Sequence, residues 1–119
     1  RMAGRTPVPE TESLQSLAAH RATMAIYLSI SMVDEMTRIL SDAYGPDGAC
    51  AVVYRASQPE QQIVWTTAGQ LAGAVREAGI TRTALVVVGR VLDVSLDALV
   101  HHSKLYDRRF AHGYRDSEK

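Results

Sequence analysis

One apolar run sets the strongest constraint on the fold of this chain. Residues 84–88, Ala-Leu-Val-Val-Val, are apolar without alternation and are followed by Gly89. A strand of this kind suits the middle of a sheet that is covered on both faces. Upstream, apolar residues recur at every second position from Met24 to Ile30. This period of two predicts another strand over residues 23–30.

Three further segments have the apolar spacing of helices. The first helix is predicted over about residues 11–20. The second is expected to begin with Ser31 as its cap and to end at Gly45, which precedes a proline. The third is expected to begin at Thr67, where a threonine-x-x-glutamine capping box stands, and to end at Gly79. Each helix therefore has its own start and stop signals.

Residues 49–55 and 62–66 predict two more strands, separated by a short segment that contains Pro59. This segment is too short for a crossover helix, so we expect the two strands to pair antiparallel. The predicted order is helix, strand, helix, strand, strand, helix, strand. That order predicts an α/β fold with a mixed β-sheet flanked by helices.

Composition excludes several classes of function. The chain has 119 residues, and its 13 basic and 13 acidic residues give a formal net charge of zero. Nucleic-acid and membrane-surface partners are not expected, because they usually require a basic excess. No apolar run approaches the length of a membrane span, so we expect a soluble, cytoplasmic protein. Cys50, the single cysteine, stands in an apolar run and is predicted to be a buried thiol.

Motifs for catalysis are few, and the catalytic residues stay unknown. His101 and His102 are adjacent, so they do not share a helix face, and no metal site is expected. The glycines at 45 and 48 form an ordinary turn rather than a phosphate loop. The basic and aromatic segment 103–115 has a composition that binds phosphates or bases, but we interpret it as a tail that packs its aromatic residues. These patterns alone predict a soluble α/β domain.

Four segments, taken in order, carry a more specific signal. They are residues 4–9 followed by 22–29, residues 53–60 with the pattern Tyr-Arg-Ala-Ser-x-Pro, residues 83–89, and the tail that begins Ser-Lys-Leu-Tyr-Asp at 103. Together they resemble the second domain of the tetrapyrrole methyltransferases, and the tail resembles the precorrin-4 branch. Gln58 departs from that branch, where tryptophan is expected. The resemblance implies an interdomain linker over residues 1–9 and a C-terminal domain over 10–119, with the family's N-terminal domain absent from this chain.

The resemblance also implies a function. In this family S-adenosylmethionine lies in a cleft between two α/β domains, and a ring carbon of the tetrapyrrole attacks its methyl group directly. The parent protein is then expected to methylate precorrin-4 or cobalt-precorrin-4 at ring carbon 11 in vitamin B12 biosynthesis. A homodimer is expected, because relatives dimerise. Half of the cleft alone is expected to be inactive.

Individual positions follow from the same resemblance. Leu28 matches a residue that packs on the cofactor, and Ala56 matches a small residue whose backbone approaches the adenosine. Thr83 and Ala84 match the pair beside the adenine. The alternative for all four is plain core packing.

Substrate contacts are expected from three further residues. Arg5 and Arg55 are candidates because guanidinium groups bind the carboxylates of a precorrin in a bidentate manner, and Tyr27 is expected to stack on the edge of the macrocycle. Surface solvation or a structural ion pair is the alternative for both arginines. Two other functions stay open: a sibling methyltransferase that acts at another ring position, and a non-catalytic binding module of the same fold.

Overall fold

The computed structural model of the chain describes residues 1–93, and these residues form three helices and four strands. In chain order the elements are α1 (Leu14–Ala18), β1 (Met24–Ile26), α2 (Val33–Tyr44), β2 (Ala49–Tyr54), β3 (Gln62–Thr67), α3 (Leu71–Glu77) and β4 (Ala84–Val88). Short 3-10 turns stand at Glu10–Glu12, Ile30–Met32, Ala68–Gln70 and Arg90–Leu92. The predicted tail and the histidines at 101, 102 and 112 lie outside the described residues.

The four strands form one sheet in the order β1-β4-β2-β3. The apolar run 84–88 is confirmed as a central strand, because β4 pairs with β1 on one side and β2 on the other. The predicted antiparallel pairing of β2 and β3 is also confirmed, with Val52 opposite Val64. An α/β fold is therefore correct.

The expectation of a mixed sheet was wrong for the described strands, since all three pairings are antiparallel. The physical reason is the position of β4. Strands β1 and β2 run in the same direction, as a strand–helix–strand connection through α2 favours. They are not neighbours, however, because β4 enters between them in the opposite direction.

Helices α2 and α3 supply the hydrophobic core on one face of the sheet. Met36 and Leu40 of α2 and Leu71 of α3 are completely buried. They belong to the same buried cluster as the sheet residues Val52 and Val86. Burial of each large apolar side chain contributes roughly 1.5–3 kcal/mol relative to exposure, so this layer holds the two helices against the sheet.

Two predicted helix caps were wrong. The helix α2 begins at Val33, so Ser31 is not its cap, and the Thr67 side chain makes no capping hydrogen bond. The amide of Ala72 near the start of α3 instead donates to Thr37 Oγ1 of α2 at 3.0 Å. The Thr37 hydroxyl in turn donates to the Val33 carbonyl at 2.7 Å. A contact between helices thus replaces the local capping box.

The predicted ends of the helices and of the first strand had mixed outcomes. Gly45 and Gly79 follow α2 and α3 with φ values of +83° and +70°, which confirms the predicted stops. The helix over 11–20 is shorter than predicted, and β1 ends at Ile26 rather than near Ile30. No helix within residues 1–93 is both long enough and apolar enough to cross a membrane.

Candidate functional site

A cleft of about 450 Å³ lies at one end of the sheet, and we call it the strand-end cleft. Six of the seven residues predicted to bind ligands line it. They are Tyr27, Leu28, Arg55, Ala56, Thr83 and Ala84. The seventh, Arg5, is outside this lining and lies exposed on the N-terminal segment. The structure therefore brings together residues that are up to 57 positions apart, from Tyr27 to Ala84.

The strand directions explain why these residues meet. Strands β1 and β2 run in parallel, so the segments after Ile26 and after Tyr54 emerge at the same end of the sheet. Strand β4 runs in the opposite direction and begins at that end with Ala84, which is paired with Tyr54. The Arg55 amide donates to the Thr83 carbonyl at 2.9 Å and so extends this pairing by one step.

The backbone of the cleft is unusual at three positions. Leu28, Arg55 and Thr83 have φ values of +55°, +47° and +56°, although none of them is glycine. Each such residue costs about 1–2 kcal/mol in a conformation where the Cβ atom crowds the carbonyl. Backbone strain of this kind concentrates at binding and catalytic sites. These three residues are therefore candidates for a function that side chains, and not glycine, must perform.

Several lining residues of the strand-end cleft are apolar, and we call them the apolar wall. Leu28 is 83% exposed, and Ala56, Ala84 and Val53 also line the cleft. An exposed leucine at a concave site is available to pack on a ligand. The turn that carries Ala56 is held by hydrogen bonds, because the Gln58 amide donates to the Arg55 carbonyl at 3.0 Å. This wall suits an apolar ring that lies between small side chains.

The other notable feature of the cleft is positive charge. Arg55 and Arg82 both line it, and none of its described lining residues is acidic. The Arg55 guanidinium lies 3.9 Å from Glu60 and 5.3 Å from the centre of the Tyr54 ring. Both contacts hold the side chain at the end of β2. The cleft thus joins an apolar wall to an edge that favours anions.

Comparison with known proteins decides the family. The sequence model of the family Tetrapyrrole (Corrin/Porphyrin) Methylases matches residues 2–72 of this chain. The chain belongs to the tetrapyrrole methylases.

Two relatives of this tetrapyrrole methylase match almost its whole length. The cobalt-precorrin-4 C(11)-methyltransferase of Methanocaldococcus jannaschii is 44% identical over 117 residues, which are 98% of this chain and 44% of that protein. The precorrin-4 C(11)-methyltransferase of Pseudomonas aeruginosa is 42% identical over 118 residues, which are 99% of this chain and 46% of that protein. The chain thus spans less than half the length of these relatives.

Solved structures agree with the fold of this tetrapyrrole methylase. A cobalt precorrin-4 methyltransferase superposes with a TM-score of 0.73 and 39% identity over 79% of this chain and 40% of that chain. A uroporphyrin-III C-methyl transferase from Thermus thermophilus, complexed with S-adenyl homocysteine, superposes with a TM-score of 0.56 over 75% of this chain and 38% of that chain. Its identity is 20%, so this second match supports the fold alone.

Arg82 is a lining residue that the sequence analysis missed. It stands two residues before β4, in the segment that follows Gly79 and Ile80. A charged residue shortly before a buried apolar strand marks the rim of a sheet, and this signal was available in the sequence. For Arg5 the local sequence carries no such signal, because its predicted role depended on the resemblance. The structure places Arg5 outside the cleft lining.

Cys50 is buried, as predicted, and lies outside the lining of the strand-end cleft. Its thiol is 1% exposed, and burial raises its pKa to about 11. A thiol with this pKa stays protonated near neutral pH and is a poor nucleophile. Cys50 therefore belongs to the core of this tetrapyrrole methylase and not to its candidate chemistry.

Proposed function

We propose that this chain is the C-terminal half of an S-adenosylmethionine-dependent methyltransferase that methylates precorrin-4 or cobalt-precorrin-4 at ring carbon 11 in cobalamin biosynthesis. The observation that carries the proposal is the identity of 42–44%, over 98–99% of the chain, to two enzymes named for this reaction. The strand-end cleft adds support, because it gathers six residues that the family resemblance selects.

In this proposal the apolar wall of the cleft holds the adenosine part of S-adenosylmethionine. Leu28 packs on the cofactor, while the small residues Ala56 and Ala84 let the backbone approach the base, with Thr83 beside it. The Thermus thermophilus uroporphyrin-III C-methyl transferase, which shares the fold, is complexed with S-adenyl homocysteine. S-adenosylmethionine supplies an electrophilic methyl group. The residues of the chain contribute by binding and orientation.

The positive edge of the cleft is proposed to hold the substrate. Precorrins carry many carboxylates, and Arg55 and Arg82 offer guanidinium groups that bind carboxylates in a bidentate manner. Tyr27 is 56% exposed and has room to stack on the macrocycle. For Arg5 the proposal has less support, because it stands outside the cleft lining; it would reach the substrate only from the N-terminal segment.

The proposal requires a second half of the protein. The chain covers 44–46% of the two relatives described above, so residues 1–9 are proposed to be the linker to an N-terminal domain and residues 10–93, with the tail, to be the C-terminal domain. Alignment of the nucleophilic carbon with the methyl group accounts for much of the rate in such a transfer. Half of the cleft is therefore proposed to bind weakly and to catalyse nothing.

Self-association and a cytoplasmic location are also part of the proposal. On the sheet face opposite the helices, Trp65 is 64% exposed and Ile63 is 45% exposed on β3, an edge strand of the described sheet. Trp65 is paired with Ala51 of β2, which is in turn paired with Val87 of β4, and Ile63 is paired with Val53 of β2. Exposed apolar surfaces of this kind commonly mark protein interfaces, so we propose a homodimer.

The cofactor part is tested by calorimetry with S-adenosylhomocysteine. The titration is made on this chain and on a protein that joins it to the upstream half. Binding that is at least 100-fold tighter in the joined protein is the expected result. Absence of binding in the joined protein would contradict the proposal and favour a binding module of the same fold.

The substrate part is tested by methyl transfer to precorrin-4 and cobalt-precorrin-4 in the joined protein. Arg55→Ala is expected to lower kcat/KM by 10-fold or more, mainly through KM, because a charge-assisted hydrogen bond contributes roughly 1.5–3 kcal/mol. Arg38→Ala is the matched control, since Arg38 lies exposed on α2 and outside the cleft lining. Equal rates for both variants would remove Arg55 from the substrate site. The position of the new methyl group distinguishes this enzyme from a sibling.

A further inference from the structure

Ser29 is the single polar residue that lies in the buried interior of residues 1–93, with an exposure of 1%. Its hydroxyl accepts a hydrogen bond from the Met2 amide at 2.8 Å. The same hydroxyl donates to the Tyr27 carbonyl at 2.9 Å. This hydroxyl accepts one hydrogen bond and donates another, so its loss removes a bond from both partners.

Hydrogen bonds hold the backbone on both sides of Leu28. Before it, the Tyr27 carbonyl accepts from the Ser29 hydroxyl. After it, the Ser29 carbonyl accepts from the Met32 amide at 2.9 Å. Leu28 stands between these anchors with a φ of +55° and with 83% of its surface exposed. Its own burial therefore does little to keep it in a left-handed conformation. The hydrogen bonds on either side are the contacts that stabilise the turn.

The hydroxyl also joins two distant parts of the chain. Met2 lies in the N-terminal segment, packs against the core, and is 27 residues from Ser29. That segment is the proposed linker to the upstream half of the protein. One hydroxyl therefore connects the linker to the turn that lines the strand-end cleft.

We propose that Ser29 is a positioning residue, which fixes the Leu28 turn for ligand binding and fastens the N-terminal segment to the same turn. The inference rests on the proposed function, because the ligand used as a probe is S-adenosylhomocysteine. Ser29 acts through Leu28 and does not line the cleft itself. The Ser29 hydroxyl thereby couples the position of the linker to the shape of the apolar wall.

A double-mutant cycle tests the inference in the protein that joins both halves. Ser29→Ala is expected to weaken S-adenosylhomocysteine binding by roughly 5- to 10-fold, the effect of about one net hydrogen bond. In a Leu28→Ala background the same change is expected to alter the Kd by less than 2-fold, because the side chain that Ser29 positions is gone. Equal losses in both backgrounds would overturn the inference and leave Ser29 a merely structural residue.

Hydrogen exchange gives a readout that does not need the ligand. Ser29→Ala is expected to speed exchange of the Met2 amide by at least 10-fold, while Ser41→Ala, the same chemical change on α2, leaves it unchanged. Ser29→Thr retains the hydroxyl and is expected to keep both the Met2 protection and the affinity within 3-fold. Folded Ser29→Thr protein that loses both would refute the role of the hydroxyl.

The two proposals fail in different ways. If the unaltered joined protein does not bind S-adenosylhomocysteine, the proposed function is wrong, whatever Ser29 does. If it binds, and Ser29→Ala changes neither its affinity nor the Met2 exchange, the inference about Ser29 is wrong and the proposed function stands.

Discussion

Leu28 offers a test in which fold stability and ligand affinity respond differently to matched changes. Leu28→Ala and Leu28→Gly both remove the side chain that lines the strand-end cleft. They differ in one respect, since alanine retains a Cβ atom and glycine does not. Because Leu28 has a φ of +55°, the Cβ atom is the source of its backbone strain.

The effect on stability follows from exposure and φ. Leu28 is 83% exposed, so truncation removes less than a fifth of the burial of a leucine, or about 0.5 kcal/mol. Leu28→Ala is therefore expected to lower the free energy of unfolding by no more than about 0.5 kcal/mol. Leu28→Gly relieves the strain and is expected to be more stable than Leu28→Ala by about 1 kcal/mol, despite the larger unfolded-state entropy of glycine.

The effect on affinity is expected to be the same for both variants. If the ligand covers about 80 Å² of the leucine, its loss is worth about 2 kcal/mol, or roughly 30-fold in Kd. Leu28→Gly then combines a stable fold with a weak site. Such a pair of effects is typical of a residue kept for binding and not for stability.

Two measurements check these expectations. Urea unfolding of the three proteins gives the stability order, and calorimetry with S-adenosylhomocysteine on the joined protein gives the affinities. Wild-type affinity in Leu28→Ala would show that the side chain does not contact the ligand. Lower stability of Leu28→Gly than of Leu28→Ala would refute the strained left-handed turn.

Three further expectations concern the rest of the molecule. Gly89→Ala would place a Cβ atom 2.6 Å from Thr23 Oγ1 at a φ of +155°, so urea unfolding should show that the free energy of unfolding falls by at least about 2 kcal/mol. Gly73→Ala is the control, because a Cβ atom there meets open space on α3, and it should raise the free energy of unfolding by up to about 1 kcal/mol. Folding raises the pKa of Cys50 to about 11 from its ordinary value of 9.0, so above pH 9 the native state retains a proton that the unfolded state loses. The free energy of unfolding should therefore fall by on the order of 1 kcal/mol between pH 9 and 10, and Cys50→Ala should remove this part of its pH dependence. Trp65→Lys should shift sedimentation toward the monomer if the exposed face of β3 is the dimer contact, and an unchanged profile would exclude that face.

Much of the fold was predictable because its signals are local. Every helix and strand of the described part was expected from apolar spacing, and the pairing of β2 with β3 followed from the short turn between them. The capping of α3 was not predictable in this way. Its amide at Ala72 bonds to Thr37, 35 residues away, and such a contact exists only after the helices pack. The insertion of β4 between β1 and β2 is non-local for the same reason.

The candidate site was predictable in its residues but not in its geometry. Resemblance to a family selected Leu28, Ala56 and Arg55, and the cleft contains all three. The period of two, however, predicted Leu28 as a strand residue. The strand ends at Ile26, and the Tyr27 carbonyl that follows accepts a hydrogen bond from the buried hydroxyl of Ser29. Apolar periodicity does not report such a bond.

The residues with positive φ differ in where they stand relative to the strand-end cleft. At the end where β2 begins and β4 finishes, Gly45 and Gly89 adopt such angles with little strain, and Arg21 adopts one shortly before β1. At the opposite end Leu28, Arg55 and Thr83 adopt positive φ with full side chains, and each costs about 1–2 kcal/mol that glycine would save. Three such residues in one cleft lower the stability of the fold. In the proposed function, a ligand that contacts these side chains offsets this cost with its binding energy.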